Sequence, residues 1–98
     1  MNRLTHEQKY QLLTSFAESI GLSVCEYPFK VYDGLIKDSK IGIRSTLPNE
    51  EKPVILAHEL AHHFLHHGDM IANANPRAEE DADHAGEMLL KFINYIYK

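Results

Sequence analysis

The chain holds a single cysteine, Cys25, among its 98 residues. No intramolecular disulfide can form, which fits a reducing compartment. Cys25 itself reads as strand packing, since nothing near it in sequence looks like an activating base. Long apolar runs are missing too. The opening MNRLTHEQKY has none, so no signal peptide is expected, and no stretch approaches the ~18 apolar residues of a membrane span. A soluble, cytoplasmic protein with no membrane partner is the expectation. Basic excess is also absent. Ten Lys and Arg against fourteen Asp and Glu leave a formal charge of −4. With no cationic cluster on one face, direct nucleic-acid binding is disfavoured, although protonated histidines would add positive charge at lower pH. Internal repeats and low-complexity segments are absent. What is present, 44% hydrophobic and 24% charged residues, is a globular composition. The length predicts one domain, residues 1–98, which buries about two-thirds of its unfolded surface and folds with little stability to spare.

Residues 5–20 read as a helix. Thr5 and Gln8 match a capping box. Leu12, Leu13, Phe16, Ala17 and Ile20 recur at helical spacing, and Gly21 suits the stop. In LSVCEYPFKVYDGLIKDSKIGI, β-branched and aromatic residues alternate with polar ones. This predicts strands near 23–27, 32–37 and 40–44, the last two joined at Asp38-Ser39. A second helix is expected over 51–67, capped near Asn49, with Pro53 tolerable in its first turn and Gly68 as its stop. A third helix starts with Asn75 as cap and Pro76 at its first position. Ala82, Ala85, Leu89, Phe92, Ile93 and Ile96 form its expected apolar stripe. The predicted class is α+β: a small, mostly antiparallel three-stranded sheet packed with three helices.

The second helix carries the chemistry. VILAHELAHHFLHH, residues 54–67, is apolar nearly all round yet holds five histidines and a glutamate. His58-Glu59-Leu60-Ala61-His62 fits H-E-x-x-H. Residues four apart share a helix face, so His58 and His62 can reach one ion. Glu59, about 100° round the helix, can reach a metal-bound water without binding the metal and act as general base. The apolar surroundings strengthen the signal, because buried polar groups need compensation and coordination supplies it. His63 lies off this face and reads as a packing or supporting residue. His66 and His67 sit in the last turn, where the exposed carbonyls explain them.

A catalytic zinc takes three protein ligands and one open position. H-E-x-x-H-x-x-G-x-x-H would need Gly at 65 and His at 68. The sequence has Leu65 and Gly68, which excludes that class. Asp69 is a weak candidate beyond the helix stop. The run Glu79-Glu80-Asp81 is better. With Ala82 at 0° and 100° per residue, Glu79 falls at about +60°, Asp83 at about +100° and Gly86 at about +40°. Glu80 falls on the solvent side, as do His84, Glu87 and Lys91. Gly86 would let the third helix approach the second closely, with Glu79 directed at it. Asp83 can then accept a hydrogen bond from a ligand histidine and fix its tautomer.

ILAHELAHHFLHH followed by EEDADHAGEMLL resembles the ImmA/IrrE family of metallopeptidases. SIGLSVCEYPF, DGLI and the IGI strand are similar to that family's strands ahead of the active helix. The resemblance covers nearly the whole chain. It implies a minimal zincin fold with one zinc ion on His58, His62 and Glu79, and Glu59 as catalytic base. Asp83 stands where the family has Asn or Asp. The chain departs from the pattern at Asp81, at Ala85 and at Lys91-Phe92. The implied function is a zinc-dependent endopeptidase acting on a protein substrate, with a helix-turn-helix repressor of a phage or mobile element as the substrate the family suggests. A strand near 40–44 is expected to hold the peptide by strand addition. Tyr95, Tyr97 or a loop histidine is expected to steady the oxyanion. The alternative is a non-catalytic zinc-binding interaction module.

Overall fold

The first helix is closed at both ends by its own sequence. In α1 (His6–Ser19), the Gln8 N–H donates to the Thr5 hydroxyl and the Gln8 side chain accepts from the Thr5 N–H. At the other end Gly21 adopts φ +90, where a β-carbon would be strained. The N–H groups of Gly21 and Leu22 reach back to the carbonyls of Glu18 and Ala17, which completes a Schellman stop. The computed structural model describes residues 4–65 and 76–96. Its element order is α1, β1 (Ser23–Tyr27), β2 (Gly34–Lys37), β3 (Lys40–Arg44), α2 (Lys52–Leu65) and α3 (Pro76–Ile96). Among the described residues no helix is long and apolar enough to cross a membrane.

The three strands form one α+β sheet in the order β1-β3-β2. It is mixed rather than mostly antiparallel. β2 and β3 pair antiparallel across the two-residue loop at Asp38-Ser39, with Asp38 at φ 55. β3 then enters between its predecessors and pairs parallel with β1, from Ser23 opposite Lys40 to Tyr27 opposite Arg44. The cause is the connection over residues 28–33, which carries the chain past the vacant middle position to the far edge. β2 also begins later than its composition predicts. Val31 and Tyr32 are good strand formers, yet they are exposed in the connection, and the sheet takes over at Gly34.

α2 is the hub and touches α1, α3, β2 and β3. It starts at Lys52 rather than at a cap on Asn49: the N–H groups of Glu51 and Lys52 both reach the Pro48 carbonyl. Pro53 is buried in the first turn. Leu56, Ala57 and Leu60 are fully buried with Leu13, Ala17, Ile41 and Ile43. Each buried leucine or isoleucine contributes roughly 2 kcal/mol. The helix is not enclosed all round, because Val54, Phe64 and Leu65 are about half exposed. A second tie, made of polar groups, joins three elements. The Tyr10 hydroxyl donates to Glu26 Oε2 at 2.7 Å, and Lys52 Nζ donates to Glu26 Oε1 at 3.0 Å.

α3 packs on α2 through small residues. Its buried positions are Ala78, Ala82, Gly86 and Ile93, while Phe92 and Ile96, expected in the stripe, lie exposed. Gly86 explains the rotation. A β-carbon there would stand 3.1 Å from the His58 backbone nitrogen and 3.2 Å from the Ala57 carbonyl carbon. The helices therefore meet backbone to backbone at this point, and the contact face turns toward the side that carries Glu79.

Candidate metal centre

The close contact at Gly86 brings two helices together where their polar residues coincide. His58 and His62, one turn apart on α2, face Glu79 in the first turns of α3. The Nε2 atoms of His58 and His62 lie 3.1 Å apart. Glu79 Oε2 is 2.9 Å from His58 Nε2, and Glu79 Oε1 is 3.0 Å from His62 Nε2. Among the described residues this is the one group of three or more His, Cys, Asp or Glu that can hold a metal ion.

The donor set fits a metal ion of the kind that takes nitrogen and oxygen ligands. Two imidazoles and a carboxylate leave one position of a tetrahedron open, as in catalytic sites. Ligand distances of ~2.0–2.1 Å put tetrahedral ligand atoms about 3.3–3.4 Å apart, so an ion asks these three atoms to part by a few tenths of an ångström. Electron-rich atoms this close need a cation among them, either a proton or a metal. His62 is 1% exposed at its side chain and His58 13%, which limits the water available to do that work.

Asp83 stands where the helical geometry predicts it. A carboxylate only accepts, so His58 Nδ1–H donates to Asp83 Oδ1 at 2.8 Å. That leaves Nε2 free to face Glu79 and His62. Asp83 is 71% exposed at its side chain, so water competes for the same bond. Glu80 and Asp81 are exposed and outside the cluster. His63 is outside it too, its ring edge-on to Phe64 with centroids 5.3 Å apart. His66, His67, Gly68, Asp69, Asn75 and Tyr97 lie outside the described residues.

Glu59 is 3% exposed, and its Oε1 has no hydrogen-bond partner among the described residues. Burial pushes its carboxyl up to about 7; the charge of Glu79 adds to the rise and His58 opposes it. The other face of this side chain rests on the sheet. A β-carbon on Gly34 would meet Glu59 Oε2 at 3.1 Å and Ile55 Cγ2 at 2.6 Å. Only a glycine lets β2 come this near, so the strand backbone is one wall holding the Glu59 carboxylate in place.

His58, Glu59, Glu79 and Asp83 open into a cleft of about 290 Å³, whose opposite rim is Val31 to Leu35. The rim is what the local pattern concealed. Tyr32 and Gly34 read as ordinary strand residues, and only the sheet order carries them over α2. Two expectations fail here. Tyr95 sits sixteen residues along α3 from Glu79, ~24 Å at 1.5 Å per residue, so it is far from the cleft. β3 is paired on both sides and offers no edge to a peptide; the edge strand beside the cleft is β2.

No curated protein and no solved structure matches the chain. A family model does. The peptidase M78 family, described as the IrrE N-terminal-like domain, matches residues 17–90. That span is about three quarters of the chain and takes in the whole sheet, His58 and His62 of α2 and Glu79 on α3. The chain therefore belongs to this ImmA/IrrE family of metallopeptidases.

Proposed function

We propose that this protein is a zinc-dependent endopeptidase, with His58, His62 and Glu79 as the ligands of one ion and Glu59 as the general base. One observation carries the reading: three ligand atoms converge on one point, beside a buried carboxylate with an unpartnered oxygen. An ion held there supplies a Lewis acid for the scissile carbonyl and makes nearby water more acidic. The chain's own groups do the rest. Glu59, with its carboxyl raised to about 7, takes the proton from the attacking water near neutral pH and returns it to the leaving amine. Asp83 keeps His58 in the tautomer that presents Nε2. The free edge of β2 receives the substrate as an added extended strand. A cleft of this size admits side chains one at a time, not a folded surface, so the substrate offers an exposed or unfolded segment. By family resemblance that substrate is a helix-turn-helix repressor of a phage or mobile element.

A docking module that holds zinc without turnover gains nothing from burying an unpartnered carboxylate, which costs stability. Glu59→Gln separates the two readings. The zinc-loaded wild type is expected to cut a helix-turn-helix repressor encoded beside it. The variant should bind zinc equally and cut about 10³-fold more slowly. Equal cutting by the variant would overturn the base assignment. Zinc bound by the wild type with no cut in the repressor or in an unfolded protein such as casein would favour the module.

A further inference from the structure

Hydrolysis of a peptide bond passes through a tetrahedral oxyanion, and one donor aimed at that oxygen contributes about 100- to 1,000-fold. Beyond the backbone of β2, which the substrate strand takes up, the cleft has few donors to offer. Its four bordering carboxylates, when ionised, only accept. His58 is committed at both nitrogens, to Asp83 and to the ligand cluster. The other bordering residues are aliphatic or glycine, with one exception, Tyr32. Its hydroxyl makes no hydrogen bond with any described residue, and the residue is 53% exposed.

Tyr32 is also carried by a fastened segment. Its neighbour Asp33 accepts from the Arg44 N–H at 2.8 Å through its carbonyl and pairs with the Arg44 guanidinium at 3.4 Å. One residue further, Gly34 runs so near Glu59 that a β-carbon there would stand 3.1 Å from Glu59 Oε2. Two residues of chain span at most about 7 Å, so the Tyr32 backbone stays near Glu59, and the residue itself lines the cleft. We infer that Tyr32 is a catalytic residue whose hydroxyl donates a hydrogen bond to the oxyanion of the scissile carbonyl. The hydroxyl keeps its proton throughout, so the group stabilises charge and takes no part in proton transfer. This inference rests on the peptidase reading above.

Tyr32→Phe removes the hydroxyl and keeps the ring. The probes are a phosphinic peptide, whose tetrahedral phosphorus and anionic oxygens mimic the transition state, and the matching peptide amide. Zinc affinity is measured alongside by chelator competition. The variant should hold zinc as the wild type does and bind the phosphinic peptide about 100-fold more weakly. In a Glu59→Gln background it should bind the amide within about twofold. Equal phosphinic affinity in both proteins overturns the role of Tyr32 and leaves the peptidase reading standing. Equal losses for amide and phosphinic peptide also overturn it, since that marks plain substrate packing. If the zinc-loaded wild type binds no phosphinic peptide, both fall together.

Discussion

Two glutamates stand against α2, and their surroundings drive them in opposite directions. Glu26 meets the helix at Lys52. Burial alone would raise its carboxyl, but hydrogen bonds from Tyr10 and Lys52, with the lysine charge, outweigh this and hold it below the usual carboxylate range. Both of its oxygens accept. Glu59 lies two turns along the same helix, and burial there has no such answer. The difference is one of depth and of partners together: Glu59 is 3% exposed, whereas the Glu26 side chain is 34% exposed and has two donors. A carboxylate supplied with donors stays ionised and works as a tie between elements. One denied donors stays poised to take up a proton. The same split separates the Tyr10–Glu26–Lys52 tie, which is complete in itself, from the His58–His62–Glu79 cluster, which needs a cation to be complete.

Three experiments probe that contrast. The largest effect is expected at the cluster. Glu79→Gln should lower zinc affinity by more than the ~100-fold that loss of a supporting residue costs, read by chelator competition, with the circular dichroism of the fold unchanged. Unchanged zinc affinity would remove Glu79 from the ligand set. The second concerns Glu59 without metal. Its folded carboxyl titrates at about 7 against an ordinary 4.5. The fold therefore keeps a proton that the unfolded chain has released, and stability falls as pH climbs from about 4.5 to 7. Glu59→Gln cannot ionise, so the metal-free variant should exceed the wild type by up to about 3 kcal/mol at pH 8, with the gap closing toward pH 4.5. Denaturant titrations across that range measure it, and a gap independent of pH would refute the burial argument. The smallest effect belongs to the closed tie. Tyr10→Phe should cost about 1 kcal/mol of stability and leave zinc affinity untouched; a loss of zinc would show that the two clusters are not separate.

Much of this contrast is legible in the residues. The i, i+4 histidines, the glutamate between them and the small-residue face near Gly86 are local patterns, and helical geometry alone directs Glu79 and Asp83 at α2. The capping box of Thr5 and Gln8 and the three strands are local as well. What escaped is what depends on distant pairing. The parallel partner of β1 follows from a connection whose path no short window encodes. The cleft rim at Tyr32 and Gly34 depends on that path. The Tyr10–Glu26–Lys52 tie joins residues 16 and 26 positions apart. Phe92 and Ile96 obey helical periodicity and still face outward, because the backbone contact at Gly86 rotates the helix away from its most apolar side.

The placement of β3 between the two earlier strands also sets an order of assembly. The β2–β3 hairpin closes over two residues, whereas every β1–β3 pair is separated by seventeen positions, so loop entropy favours the hairpin as the first piece to form. That hairpin already contains Gly34, the strand wall beside Glu59, with Tyr32 just ahead of it. The wall against which Glu59 packs is thus built from local contacts, ahead of α2 and α3 in the chain. The His58–His62–Glu79 cluster, by contrast, is complete only once α3 docks on α2.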